Sequence, residues 1–136
     1  QKVPTIVKTI PKFHEFMAPI LWFLSDGVAH TREEILKEMI RKFKLNKKQQ
    51  NYLIPNSHQT YVYNRVSWAI SYLLHAGLIK RQGVARYTIT QLGKQELCRM
   101  PEKITRSYLL KYPSFEPFYS KAVNSENKKL NTNKST

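Results

Sequence analysis

The chain has 136 residues, the length of one ordinary domain, and its hydrophobic content of 41% argues against a disordered chain. It carries 23 Lys and Arg residues against 9 Asp and Glu residues, and the formal net charge of +14 points to a polyanionic partner. No apolar run reaches the roughly 18 residues that cross a bilayer, and nothing resembles a signal peptide. Because the single Cys98 also fits a reducing compartment, we expect a cytoplasmic protein without a membrane partner.

The positive charge is spread along the chain. Residues 1–100 hold 16 basic and 6 acidic side chains, and residues 101–136 hold 7 and 3. A folded body with this excess indicates nucleic-acid binding more strongly than a basic tail would. Solubility or non-specific adhesion is the alternative explanation of the charge.

The first half of the chain is predicted to begin with an arm over residues 1–11, where Pro4 and Pro11 should prevent a helix. A first helix then begins near residue 12 and ends at residues 26–27, and residues 28–30 form a short strand. Thr31 and Glu34 have the spacing of a capping box, which predicts a second helix over residues 32–44. Asn46 caps a short turn over residues 47–52.

A third helix follows the loop at residues 54–59 and ends at Gly77. Its apolar positions share one side of a helical wheel and should be buried: Val62, Val66, Ala69, Ile70 and Leu73. A polar and aromatic stripe lies opposite, with Arg65 and Tyr72 on its flank: Thr60, Tyr61, Asn64, Trp68, Ser71 and His75.

The second half of the chain is predicted to contain a hairpin, with strands at residues 78–82 and 86–90 around residues 83–85. Thr90 can cap a last helix through about Arg99, with Leu92 and Leu97 facing inward. We expect one short helix at residues 102–111, then an extended aromatic stretch that packs on the body. Residues 124–136 have the composition of a flexible linker or tail.

The order helix, strand, helix, helix, hairpin predicts a winged helix-turn-helix, a mainly α fold with a small β-hairpin (α+β). The predicted divisions are an arm (1–11), a DNA-binding domain (12–100), a packed helical and aromatic extension (101–123) and a tail (124–136). Such a domain places its third helix in the major groove of DNA and its wing beside the minor groove.

The candidate DNA-binding residues come from the third helix, the loop before it, the turn at residue 47 and the wing. An Asn can pair with adenine and an Arg with guanine, and Lys or Arg can bind phosphates. For Arg65 the alternative is a loop anchor, for Trp68 and Tyr72 it is packing, and for the lysines it is a merely solvated face. The candidates are Asn56, Ser57, His58, Gln59, Thr60, Tyr61, Tyr63, Asn64, Arg65, Trp68, Lys47, Lys48, Lys80, Arg81 and Arg86.

Catalysis is not expected from these residues. The four histidines are scattered and Cys98 is alone, so no zinc spacing exists and we assign no metal or other cofactor. Residues 126–128 have the Glu-x-Lys form of metal-dependent nucleases, but they lie in the predicted tail without an aspartate partner.

Several ordered motifs resemble the N-terminal domain of Mrr-type restriction endonucleases. The resemblance implies a DNA-binding winged helix, a separate nuclease domain in the same parent chain, and restriction of foreign DNA, often DNA with modified or methylated bases. If a base were flipped out, Trp68, Tyr61 or Tyr63 could stack on it. The motifs are Ile54-Pro55-Asn56-Ser57, Gln59-Thr60, Asn64-Arg65-Val66-Ser67-Trp68-Ala69, Ala76-Gly77-Leu78-Ile79, Tyr87-Thr88-Ile89-Thr90, Leu92-Gly93 and Tyr112-Pro113-Ser114-Phe115.

Two other classes of protein share this pattern of elements. A winged-helix transcription regulator would dimerise to bind a two-fold DNA site, but no long dimerisation helix is visible, and we expect a monomer or weak dimer. A protein-interaction module would bind duplex DNA no more tightly than any other chain of this charge.

Overall fold

A computed structural model describes residues 4–99 and 103–121. It is mainly helical with a small three-stranded antiparallel sheet, so the predicted α+β class is confirmed and the arrangement is winged-helix-like. The α-helices are α1 (Thr5–Thr9), α2 (Phe13–Phe23), α3 (Arg32–Lys42), α4 (Lys47–Asn51), α5 (Tyr61–Ala76) and α6 (Gln91–Leu97). The strands are β1 (His30–Thr31), β2 (Ile79–Arg81) and β3 (Arg86–Ile89), and 3-10 turns lie at Leu24–Asp26 and Tyr108–Lys111.

Side-chain caps fix where α3, α4, α5 and α6 begin, and three of them, at Thr31, Asn46 and Thr90, are the caps that the sequence predicts. Thr31 Oγ1 accepts a hydrogen bond from the Glu34 N–H at 3.1 Å, and the Glu34 carboxylate accepts from the Thr31 N–H at 2.8 Å. Asn46 and Gln49 form the same reciprocal pair at the start of α4. Thr60 and Thr90 each accept one hydrogen bond, from the N–H of Tyr63 and of Gly93, at the start of α5 and α6. Each cap satisfies backbone donors that the first helical turn leaves unpaired.

The core forms where α2 and α3 pack on the apolar stripe of α5. All five residues predicted for this stripe are buried. Tyr72 is buried as well, among Phe13, Phe115 and Phe118, which confirms packing as its role. Gly77 then ends α5 with a φ of 80°, a left-handed conformation that suits glycine.

The sheet has the strand order β1-β3-β2, and every pairing in it is antiparallel. Arg81 pairs with Tyr87, and Gln82 N–H donates to Arg86 O at 2.9 Å, so the hairpin closes around the wing loop at residues 82–85. Val84 at the tip of this loop is 93% exposed. The first strand lies at His30–Thr31, slightly later than the predicted residues 28–30.

Residues 5–9 of the N-terminal arm form helix α1, which corrects the prediction that the prolines of the arm prevent a helix. Pro4 is the N-cap of α1 and Pro11 follows its C-cap, so neither ring removes a hydrogen bond inside the helix. Val7 and Ile10 are buried in the body of the protein.

The C-terminal part of the fold also departs from the prediction. A short 3-10 turn at Tyr108–Lys111 replaces the predicted helix, and residues 116–121 are helical instead of extended. Leu109 in this turn is buried, and so are Tyr112 and Phe115, which follow it. This segment packs on the body as expected, whereas the tail predicted over 124–136 lies outside the described residues.

The orientation of α6 corrects a second expectation. Leu92 is 38% exposed, although Leu97 is buried as predicted. Gly93, Glu96 and Leu97 share the inward side at spacings of three and four residues, and Leu92 is rotated away from it.

Within residues 4–99 and 103–121, none of the helices combines the length and the apolar composition required to cross a bilayer.

Candidate functional site

An open groove of about 670 Å³ lies between the outer face of α5 and strand β2, and we name it the α5–β2 groove. It brings together five of the predicted site residues, from the loop, the helix and the wing. Residues that the prediction did not include complete its lining. The lining consists of Arg32, Gln59, Asn64, Ser67, Trp68, Ser71, Leu74, His75, Ile79, Lys80 and Arg81.

The helix α5 supplies most of this lining because Asn64, Trp68, Ser71 and His75 recur at spacings of three and four residues. The Asn64 side-chain amide donates to Gln59 Oε1 at 3.1 Å. Trp68 packs edge-on against Tyr72 and is still 49% exposed. Ser71 and His75 belong to the predicted polar stripe, so the sequence contained a signal for them.

Arg32 is the charged lining residue that the sequence did not indicate. Its Nη1 donates to Ser67 Oγ at 2.8 Å and its Nη2 donates to Tyr87 Oη at 2.6 Å. Burial lowers the pKa of Arg32, but the contacts with the Tyr87 hydroxyl outweigh it and the pKa is raised overall. These partners come from α5 and β3, so only the folded chain places Arg32 in the groove.

A second groove, of about 440 Å³, lies where α3 and α4 meet the start of α5. The predicted site residues His58, Gln59, Thr60 and Tyr63 line it, together with Leu36, Ile40, Gln50 and Asn51. Gln59 therefore contributes to both grooves.

The loop before α5 is a closed turn. Ile54 N–H donates to Gln59 O at 2.9 Å, and Leu53 forms a bridge with Thr60. Asn56 adopts a left-handed conformation with a φ of 60°, and Ser57 Oγ accepts from the Gln59 N–H at 3.0 Å. Asn56 and Ser57 line neither of the two grooves.

Tyr61 and Arg65 lie on α5 but away from both grooves. Tyr61 stacks on Tyr52 with a centroid distance of 6.1 Å. Arg65 Nη1 donates to the backbone carbonyls of Val7, Ile10 and Pro11 at 3.4, 2.9 and 3.3 Å, and burial lowers the pKa of this guanidinium. The geometry therefore favours the anchoring alternative for Arg65.

The remaining predicted cations are exposed at two places. Lys47 and Lys48 lie on α4, outside the lining of both grooves, and Arg86 lies at the start of β3. Lys80 and Arg81 are also exposed, on β2, where they line the α5–β2 groove.

In the part of the chain that the structure describes, no group of three or more His, Cys, Asp or Glu side chains is placed to hold a metal ion. The arrangement can bind through hydrogen bonds, positive charge and one exposed indole ring.

A helical body, a small antiparallel sheet and a cationic groove between α5 and β2 define a winged-helix-like domain. A family model described as the Mrr N-terminal domain matches residues 13–99. The chain belongs to this family, which associates it with Mrr-type restriction systems and confirms the resemblance in its motifs. No curated protein and no solved structure matches the chain significantly.

Proposed function

We propose that the protein binds double-stranded DNA, with α5 in the major groove and the wing beside the neighbouring minor groove. The observation that carries this proposal is the α5–β2 groove, which contains three cations, Arg32, Lys80 and Arg81, and no carboxylate among its described lining residues. An α-helix fits the width of the major groove, and positive side chains release counterions from DNA phosphates.

Base contacts would come from α5 and the loop before it. Asn64 and Gln59 carry amides that can bind the edge of an adenine, once their mutual hydrogen bond of 3.1 Å is exchanged. The exposed ring of Trp68 can contact a methyl group on thymine or on a modified base in the major groove. Methylated DNA is therefore the ligand class that we propose, in keeping with the family.

Phosphate contacts would come from the exposed cations at either side. Lys47 and Lys48 lie on α4 and Arg86 on the wing, and such contacts fix the register of a protein on DNA without reading its sequence. Asn56, Ser57 and His58 extend from the turn before α5 and can donate to phosphates as well. We propose that the parent protein is a cytoplasmic restriction endonuclease whose nuclease domain is a separate unit, and that this domain itself is not catalytic.

A titration by fluorescence anisotropy tests the proposal. Duplexes that are unmodified, or methylated on cytosine or adenine, are compared at two salt concentrations. A preference for one duplex that persists at the higher salt supports the proposal. Uniform binding that disappears with salt would leave only counterion release and would favour a protein-interaction module.

Trp68→Ala tests the role of the indole, with Trp22→Ala as the matched control. Both rings are about half exposed, but Trp22 lies on α2 and does not line the groove. We expect Trp68→Ala to abolish the preference for the methylated duplex and Trp22→Ala to retain it. Equal preference in both variants would remove Trp68 from the proposed contact.

A further inference from the structure

Arg32 is held in the α5–β2 groove by side chains from two other elements of the fold. It is partly buried, and its guanidinium donates to two neutral hydroxyl groups, those of Ser67 and Tyr87. Its guanidinium carbon also lies 5.7 Å from the centroid of the Tyr87 ring. Residues from α5 and β3 therefore hold the side chain in one place.

No carboxylate in residues 4–99 and 103–121 lies within ion-pair distance of Arg32. Arg41 on the same helix shows the ordinary arrangement, since its guanidinium donates to both carboxylate oxygens of Glu38 at 2.9 and 2.5 Å. Hydroxyl groups satisfy N–H donors but bring no negative charge. Arg32, Lys80 and Arg81 therefore give the groove three positive charges, with no carboxylate among its described lining residues, and this charge favours an anionic ligand.

The position of Arg32 indicates which anion that is. It lines the α5–β2 groove with Lys80 and Arg81, and it is the least exposed of the three. A helix in the major groove and a hairpin beside the minor groove must lie on either side of one DNA strand. The backbone of that strand then passes through the space between α5 and β2.

We propose that Arg32 binds a phosphate of the nucleic-acid backbone in this groove; that the phosphate belongs to DNA rests on the function proposed above. The planar guanidinium can donate two parallel hydrogen bonds to phosphate oxygens, which a lysine cannot do. Ser67 and Tyr87 position the guanidinium before the ligand arrives, so less side-chain entropy is lost on binding.

Arg32→Gln and Arg41→Gln form the test pair, because each removes one positive charge from α3. We expect Arg32→Gln to weaken duplex binding about 10- to 100-fold and to reduce the slope of log K against log salt by roughly one, whatever the sequence. Arg41→Gln should change both quantities far less, since Glu38 already compensates its charge. Equal effects of the two variants would overturn the proposal. A loss confined to duplexes with one particular base, with an unchanged salt slope, would also overturn it.

Wild-type protein gives an independent readout if Arg32→Gln does not fold. The side-chain N–H resonance of Arg32 is followed by NMR during titration with inorganic pyrophosphate. We expect it to shift far more than that of Arg41, and an equal response would overturn the phosphate site. A wild-type protein that responds at Arg32 but does not bind duplex DNA would refute the proposed function and leave the anion site intact.

Discussion

At the scale of single residues, the carbonyl and hydroxyl groups around Arg65 and Arg32 determine where each guanidinium lies. Arg65 lies in the helix expected to face DNA, but its Nη1 donates to three carbonyls of residues 7–11. Arg32 begins a different helix and lines the groove. The direction of a long side chain depends on which carbonyls or hydroxyls the fold brings near it, and sequence spacing does not contain that information.

Arg65→Ala should destabilise the fold by about 1.5–3 kcal/mol, because it removes charged hydrogen bonds to the N-terminal segment. Urea denaturation measures the free energy of unfolding, and Lys48→Ala on exposed α4 is the control. If Arg65→Ala kept its stability but bound DNA more weakly and with relaxed base preference, Arg65 would be a base-reading residue instead.

Glu96 is a second residue whose role appears only in the folded chain. It is 1% exposed, and its carboxylate accepts hydrogen bonds from the hydroxyls of Tyr108 and Tyr112 and from Lys111 Nζ at 2.8 Å. Burial raises the pKa of Glu96, but the hydrogen bonds from these three residues outweigh it and the pKa is lowered. Burial and the hydrogen bond to Glu96 raise the pKa of Tyr112 to about 12.

These shifts predict a loss of stability at both extremes of pH. The contribution of Glu96 is present above its unfolded pKa, about 4.3, and is lost as the pH falls through its lower folded value. The contribution of Tyr112 to stability is present below its unfolded pKa, about 10. It is lost as the pH rises through its folded pKa of about 12. Urea midpoints across pH should show a smaller acid-side loss for Glu96→Gln than for wild type, while the exposed-site variant Glu33→Gln should behave like wild type. An unchanged acid limb in Glu96→Gln would contradict this assignment.

At the scale of elements, the features that depend on neighbouring residues could be predicted from the sequence. The features that depend on contacts between distant parts of the chain could not. The predicted caps at Thr31, Asn46 and Thr90 and the buried stripe of α5 depend on residues a few positions apart. The docking of α1 and the 3-10 turn at Tyr108–Lys111 depend on surfaces that exist only after the core has formed. For the same reason the sequence indicated most of the groove lining on α5 but not Arg32 on α3.

The contact of α6 with the sheet depends on Gly93. A Cβ atom at this position would lie 2.2 Å from Leu78 O and 2.7 Å from Ile89 Cγ1. Gly93→Ala should therefore cost about 1–3 kcal/mol through overpacking, whereas Gln95→Ala on the exposed side of α6 should have little effect. Thermal unfolding followed by circular dichroism measures the melting temperature of both variants. Equal melting temperatures for Gly93→Ala and Gln95→Ala would show that α6 can move away from the sheet without a loss of stability.

At the scale of the whole molecule, residues 103–121 belong to the same core as the winged-helix-like body. Ile104, Leu109 and Phe115 are buried in the cluster that also contains α2 and α5. The family match ends at residue 99, so the packed unit extends past it.

Phe115→Ala should lower the stability of the entire domain by about 3–5 kcal/mol, because a buried aromatic ring is removed. Far-ultraviolet dichroism, which reports the helices, and near-ultraviolet dichroism, which reports the aromatic core, should then show one shared transition at a lower urea concentration. The control is Pro113→Ala at an exposed position nearby. Helices that unfold at the wild-type midpoint would mean that the C-terminal segment is a separate unit.

His75 lies where the groove and the C-terminal segment meet. It lines the α5–β2 groove, and its ring stacks on Phe118 with a centroid distance of 3.9 Å. One side chain is thus shared by a binding surface and by the helical stretch at residues 116–121. Thermodynamic reciprocity requires that, if a ligand in the groove strengthens this stack, a restraint on Phe118 strengthens ligand binding by the same factor. A tether or partner that acts on residues 116–121 would then adjust the affinity of the groove without touching the ligand.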